Sequence, residues 1–302
     1  MVQARGGLID VNAFLFVATV LIWGLTWIAM SFQVGPVPPL GSVLYRFLIA
    51  TAIMFAILVA TRRLSVPSRR DQPFIFAQAV CLYSCNFLSF YTAARYIPSG
   101  LESVIFSLST VLNAIFARVF FGESVTGRTV LAGALGVAGV ALIFAPDLMV
   151  GMNADVAKGV ALSLVGVTFF SLGNMASRRN HLAGLKLETV NAWGMAYGVV
   201  ILSLAMAATG APLVAPPDAR YVWALLYLAI FGSVIGFTTY LMLVARLGAA
   251  KAAYTTVLFP LVALAASTLY EGYRWTWPAA LGVALTLIGN LVMFWRPRRG
   301  SG

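Results

Sequence analysis

Ten apolar stretches, each long enough for one helical crossing of a lipid bilayer (about 20 residues), follow one another through this chain of 302 residues. Only 10% of the residues are charged, against about 25% in an ordinary soluble chain. Gly- and Pro-rich breakers such as "GPVPP" (35–39) and "GAPLVAPPD" (210–218) fall between the stretches. The sequence therefore predicts an all-α, multi-pass membrane protein whose helices cover residues 13–33, 39–61, 73–95, 98–121, 127–145, 155–179, 187–209, 220–246, 249–270 and 275–295.

The basic residues lie in short clusters between these apolar stretches. A net charge of +11 and a pI near 10.1 are typical of nucleic-acid-binding proteins, but this placement instead sets membrane orientation, so no nucleic-acid partner is expected. One side of the membrane would carry Arg5, Arg62, Arg63, Arg69, Arg70, Arg118, Arg128, Arg178, Arg179, Lys186, Arg246, Lys251, Arg296, Arg298 and Arg299, and the other only Arg95, Lys158, Arg220 and Arg274. We therefore expect both termini in the cytoplasm and the protein in the cell (inner) membrane.

The two halves of the chain resemble each other. "AARYIPSG" (93–100) returns as "VARLGAAK" (244–251), and "LAGALGVAGVALIF" (131–144) returns as "AALGVALTLIGNLVMF" (279–294). The repeat is about 150 residues long, which predicts units at 1–150 and 151–302 with five helices each. Because five is odd, the second unit enters the membrane from the opposite face, and such inverted repeats place a site at the midplane between halves that rock to give alternating access.

Aromatic and neutral polar residues form stripes at helical spacing on several predicted helices. We take the following as candidates for lining a central cavity: Trp23, Trp27, Tyr83, Asn86, Ser103, Ser107, Asn174, Tyr240 and Tyr254. A cavity of that kind suits a substrate with an apolar side chain and a few hydrogen-bonding groups. The alternative for the Ser and Asn residues is that they join helices across the bundle.

Pro260, inside predicted helix 9, removes one backbone hydrogen bond and predicts either a kink near the cavity or a tolerated bend. The Gly residues of predicted helices 5 and 10 favour close packing, within the chain or with a second subunit. A monomer or a weak homo-oligomer is therefore expected. Glu123 and Glu271 end predicted helices 4 and 9 at matching positions, and we expect them to cap or pair within the scaffold.

Groups suited to metal or acid–base chemistry are sparse. Cys81 and Cys85 lack histidine partners, and the single histidine, His181, lies in a basic loop, so neither a metal site nor a cofactor is expected. The acidic residues lie in loops or near helix ends. No carboxylate occupies a predicted midplane position, and the sequence gives no support for proton coupling.

Arg46 is the one basic residue inside an apolar run, "GSVLYRFLIATA" (41–52). It lies roughly 10 Å below the outer boundary at 1.5 Å per residue. Glu102, near the outer end of predicted helix 4, has a similar depth and is the best candidate for pairing with it. Helix-end carbonyl groups on the extracellular side are an alternative partner for Arg46. The other two roles considered are contact with a substrate carboxylate and snorkelling. Arg46 and Glu102 are predicted as a gate or a structural charge.

Several motifs also carry a family resemblance. "IWGLTW" (22–27), "LYRFLIA" (44–50) and "YTAARYIPSGLESVIFSLSTVLNAIFARVFFGE" (91–123) resemble the drug/metabolite transporter superfamily, specifically its ten-helix EamA family and the YddG-type amino-acid exporters within it. The resemblance implies that helices 1–4 and 6–9 surround a central cavity while helices 5 and 10 stand apart. It also implies export of aromatic and other neutral amino acids, with Arg46, Gly122, Glu123 and Pro260 at family positions.

Two kinds of function compete with amino-acid export. One is efflux of drugs or nucleobase-like metabolites, although a drug cation would favour a buried carboxylate in the cavity. The other is a membrane-embedded enzyme, which would display clustered catalytic groups. The sequence therefore favours a transporter over an enzyme, with amino acids and the lipid bilayer as its partners.

Overall fold

In a computed structural model, which describes residues 6–145, 153–247 and 255–294, the chain forms ten helical segments. We number them in chain order: α1 (Gly6–Ser31), α2 (Pro39–Ala60), α3 (Gln72–Ala93), α4 (Ser99–Phe121), α5 (Gly127–Ile143), α6 (Ala154–Leu182), α7 (Leu187–Thr209), α8 (residues 219–247), α9 (Thr255–Tyr270) and α10 (Trp277–Phe294). Each overlaps one predicted helix, so the all-α, ten-helix prediction is confirmed. Residues 249–254 of the ninth predicted helix lie outside the described residues. Seven are long and apolar enough to cross a membrane, and α5, α9 and α10 contain shorter apolar helices.

The helix ends follow from backbone chemistry. Pro39 opens α2, where its missing N–H costs nothing because the first N–H groups of a helix have no partner anyway. Gly122 and Gly210 follow α4 and α7 with φ of 71° and 64°, a left-handed conformation that only glycine adopts without strain. Thr126 caps α5 by accepting a hydrogen bond from the Thr129 N–H.

The helix contacts are those of two related halves. α1 packs against α8 and α9 just as α6 packs against α3 and α4, while α2 packs against α7 and α5 against α10. Exchanging the first five helices with the second five maps the contacts of α1 onto those of α6. The same exchange leaves the α2–α7 and α5–α10 contacts unchanged. Two π-helical segments, Ala79–Cys85 in α3 and Tyr227–Ile235 in α8, also lie at equivalent places. These relations are those of two inverted five-helix repeats.

The equivalent helices α4 and α9 differ in regularity. α4 is interrupted at Ser107 and Leu108, between helical parts Ser99–Phe106 and Ser109–Phe121. α9 stays helical on both sides of Pro260, which is buried. A functional kink at Pro260 stays a prediction.

The largest group of packed, buried side chains lies between α1, α2, α3, α6, α7, α8 and α9. α5 and α10 instead pack against each other with backbones in contact. A Cβ added at Gly139 would lie 2.5 Å from the Gly282 carbonyl oxygen, and one at Gly282 would lie 2.4 Å from that of Gly139. The glycine faces of these two helices thus pack within the chain, the first of the two alternatives predicted for them.

Candidate functional site

Two aromatic clusters centred on Trp23 and Trp27 of α1 lie where α1 meets both halves of the bundle. The Trp23 ring lies 5.3 Å from Phe237, 5.2 Å from Tyr240 and 5.6 Å from Phe259, centroid to centroid. The Trp27 ring packs against Phe90 at 5.1 Å and Phe106 at 5.4 Å, and Phe106 continues to Phe170 at 4.6 Å. Helices α1, α3, α4, α6, α8 and α9 therefore all contribute aromatic rings to this interior.

The π-helical segment of α8 positions Trp23. The Trp23 Nε1–H donates to the Gly232 carbonyl oxygen at 3.0 Å. A Cβ at Gly236 would lie 2.4 Å from Trp23 Nε1, so only glycine allows this approach. π-helical bulges are frequent at functional sites, so this contact belongs to the candidate site.

Arg46 reaches the same part of α8 from α2. Its side chain is only 4% exposed, and its Nε–H donates to Ser233 Oγ at 3.1 Å. Its guanidinium lies over the ring of Phe87 at 4.4 Å, a cation–π distance. Its Nη2 atom is 3.3 Å from the position a Cβ would take at Gly232. Arg46 and Trp23 therefore meet at Gly232.

The expected pairing of Arg46 with Glu102 is wrong. Glu102 is fully buried, and neither of its carboxyl oxygens has a hydrogen-bond partner. Among the described residues the ion pairs join Arg178 to Glu123 and Arg179 to Asp71, and none reaches Arg46. The physical reason is the direction of each side chain: α2 packs against α7 and α8, whereas the first half of α4 packs against α9, α6 and α1. Equal depth did not imply proximity.

Glu271 instead caps α4. Its carboxylate accepts from the Ser99 N–H at 3.1 Å, from Ser99 Oγ at 2.8 Å and from Ser267 Oγ at 2.5 Å. A carboxylate at a helix N-terminus satisfies an unpaired N–H and complements the helix dipole. Glu271 thereby joins the end of α9 to the start of α4.

Glu123, the repeat counterpart of Glu271, forms an ion pair with Arg178 of α6. The hydrogen bond and the charge of Arg178 hold the pKa of Glu123 below its usual value. Both side chains are substantially exposed, and such pairs stabilise a fold little. Both glutamates have the capping or pairing contacts expected of scaffold residues.

The remaining predicted cavity residues do not all meet. Asn174 Nδ2 donates to Asn113 Oδ1 at 3.2 Å, which joins α6 to α4. Asn86 donates to the Leu82 carbonyl oxygen of its own helix, and Ser103 and Ser107 likewise donate to carbonyl oxygens of α4. Tyr254 lies outside the described residues.

Tyr83 lies in a scaffold network that the sequence analysis missed. Its ring is 1% exposed, and its hydroxyl donates to Asn191 Oδ1 at 2.9 Å. Asn180 Nδ2 donates to Gln78 Oε1 at 3.1 Å, and Gln78 Nε2 reaches Asn191 Oδ1 at 3.5 Å. The network joins α3, α6 and α7. The signal in the sequence was three amides in apolar helices, since buried amides require partners.

The network continues to the loop before α3 through Arg179 and Asp71. Arg179 Nη1 donates to Asn180 Oδ1 at 3.3 Å and to Asp71 Oδ1 at 2.8 Å. Hydrogen bonds from Ser68 and Arg179 hold the pKa of Asp71 below its usual value. Asp71 therefore ties the loop before α3 to the end of α6.

The fold and the interior site together define a polytopic membrane transporter built from two inverted repeats. The chain belongs to the EamA-like transporter family, whose model matches residues 11–145 and 157–295.

Named relatives and a solved structure resemble the chain over nearly its whole length. It is 26% identical to the "Uncharacterized transporter YvbV" of Bacillus subtilis, over 86% of this chain and 83% of that protein. It is 23% identical to the "Probable amino-acid metabolite efflux pump" of Escherichia coli K12, over 89% and 90%. A crystal structure at 19% identity superposes with a TM-score of 0.67, covering 94% of this chain and 96% of the other, and this likeness shows the fold alone.

Proposed function

We propose that the protein exports neutral amino acids, aromatic ones included, by alternating access between its two halves, residues 1–150 and 151–302. It works in the cell inner membrane with both termini in the cytoplasm, as a monomer or weak homo-oligomer, and it is not an enzyme. The relative named as a probable amino-acid metabolite efflux pump supports this cargo. Drug or nucleobase efflux remains the second candidate.

The observation that carries the proposal is the environment of Arg46. A buried guanidinium with no carboxylate partner among the described residues is costly in a bilayer, and an anionic ligand offsets that cost. A planar guanidinium also matches a carboxylate in geometry. We assign the substrate carboxylate to Arg46.

The aromatic interior supplies the rest of the recognition. The rings around Trp23 and Trp27 offer apolar surface for a side chain, and their faces attract an ammonium group. Trp23 and Arg46 converge on Gly232, so one small molecule can touch both. An amino acid with a neutral side chain carries each of these groups.

Counterflow in proteoliposomes across a panel of amino acids and nucleobases tests the proposal. The wild-type protein should prefer phenylalanine to phenylalaninamide, which lacks the carboxylate. Arg46→Gln should weaken affinity for phenylalanine by about tenfold or more, the worth of one hydrogen bond to a charged group, while leaving the amide almost unaffected.

Arg95→Gln is the matched control, because Arg95 is exposed in the loop before α4. It should transport like the wild type. Equal loss of both substrates in a folded Arg46→Gln protein would remove Arg46 from carboxylate recognition. Counterflow of nucleobases without any amino acid would favour the second candidate.

A further inference from the structure

Glu102 is a buried carboxyl group that the proposed transport route does not use. It lies in the first turn of α4, is 0% exposed, and has no hydrogen-bond partner at either oxygen among the described residues. Glu271, which follows the end of α9, accepts hydrogen bonds from Ser99 at the start of α4 and from Ser267 of α9. An ionised carboxylate without partners in such a place is far more costly than a neutral carboxylic acid.

The charged groups around Glu102 do not offset that cost. The first half of α4 packs against α9, α6 and α1. From α9, Glu271 acts on Glu102 as a like charge. The first turns of α6 carry Asp155 and Lys158, both exposed, and α1 has no titratable side chain from Val11 to Ser31.

Within the described part of the chain, the dipole of α4 is what favours the ionised form, since Glu102 lies near a helix N-terminus. Its contribution is about 0.3–1 kcal/mol at surfaces and up to about 2 kcal/mol when partly buried. Burial of an unpartnered charge costs several times more. The closed contact between α4 and α9 therefore accommodates Glu102 only with a proton bound.

We propose that Glu102 is a proton-binding site that links protonation to closure of the α4–α9 end of the bundle. When this end opens, water reaches the carboxyl group, which gives its proton to water and becomes a carboxylate. Closure reverses the step: a hydronium ion returns the proton, an O–H bond forms on the carboxyl group, and the water molecule leaves. Each closure thus takes up one proton, and alkaline pH favours the open state.

Infrared difference spectroscopy of the purified protein at neutral pH tests the bound proton without any substrate. The wild-type spectrum should contain the C=O band of a protonated carboxylic acid, and Glu102→Gln should lose it. Asp155→Asn, which removes an exposed carboxylate from the start of α6, should keep the band. Absence of the band from the wild type, or its persistence in Glu102→Gln, overturns the proposal.

Counterflow measured at equal pH on both sides tests the coupling, with whichever panel member is transported. One proton shifts the open–closed equilibrium by about tenfold per pH unit, so wild-type counterflow should fall as pH rises. Glu102→Gln should be independent of pH, and Glu102→Asp should keep the dependence. Identical pH profiles in the wild type and Glu102→Gln overturn the proposal. If no amino acid is transported, the proposed cargo fails while the infrared result still decides the role of Glu102.

Discussion

At the scale of single residues, Arg46 shows how a permanent charge is held inside an apolar helix bundle. Its Nε–H donates to Ser233 Oγ, and the face of its guanidinium lies against Phe87. These contacts use one N–H group and one face of the group, and the Nη2 atom lies 3.3 Å from the position a Cβ would take at Gly232. An ammonium group has no planar face to hold in this way, so this is an arginine site rather than a site for any cation.

Tyr83 provides a prediction that separates scaffold from substrate contact. Tyr83→Phe keeps the ring, which packs against Gly194 and Gly198, and removes the hydroxyl that donates to Asn191 Oδ1. We expect the free energy of unfolding to fall by about 1 kcal/mol, which is the contribution of one neutral hydrogen bond. The affinity for the transported amino acid should be unchanged.

Trp23→Phe is the variant to compare with Tyr83→Phe. It removes the hydrogen bond from the Trp23 side chain to the Gly232 carbonyl oxygen in the aromatic interior, so the affinity for the amino acid measured by counterflow should fall. If Tyr83→Phe lowered affinity while stability stayed constant, the sequence-based placement of Tyr83 in the cavity would be right and the scaffold role wrong.

At the scale of helices, the sequence predicted most of the fold because length, hydropathy and the Gly and Pro breakers are local. Predicted helix 7 and α7 share the range 187–209. The π-helical segments and the interruption of α4 at Ser107 were missed, since their sequences are apolar and continuous like their surroundings.

The candidate site was predicted less well than the helices, because the contacts between side chains of different helices are not local in the sequence. The contact of Trp23 with Tyr240 brings together two predicted cavity residues. Depth along a helix can be counted from the sequence, but the neighbour that each face meets depends on tertiary packing. The Arg46–Glu102 pair failed on that point. The placement of Tyr83 in the cavity stays a prediction.

The pairing of α5 with α10 gives a prediction at the helix scale. Gly139→Val places a side chain where the Gly282 carbonyl oxygen lies 2.5 Å away, and overpacking of this kind costs about 1–3 kcal/mol. We expect a lower melting temperature and less folded protein by size-exclusion chromatography. Gly127→Ala is the matched control because a Cβ there meets nothing within 4 Å. Equal stability of the two variants would contradict direct backbone contact between α5 and α10.

At the scale of the whole molecule, two glutamates hold the halves together at different ends. Glu271, in the second half, accepts two hydrogen bonds from Ser99 in the first. Glu123, in the first half, pairs with Arg178 in the second, where both side chains are substantially exposed. The proposed rocking would have to break partly buried hydrogen bonds at the Glu271 end and hydrate Glu102, whereas the Glu123 end is held by an exposed ion pair. The two ends therefore differ in the energy required to open them.

Membrane orientation is the prediction that belongs to this scale. Arg62, Arg63, Arg69 and Arg70 lie in the loop between α2 and α3, and the positive-inside rule places that end in the cytoplasm. We expect a membrane-impermeant thiol reagent to label Ala215→Cys, in the exposed loop between α7 and α8, on intact cells. Val66→Cys, which is equally exposed between α2 and α3, should react only after the membrane is permeabilised. Both variants need Cys81 and Cys85 replaced by Ser to remove background. Labelling of Val66→Cys on intact cells, with Ala215→Cys protected, would reverse the orientation and place Glu102 and Glu271 at the cytoplasmic end.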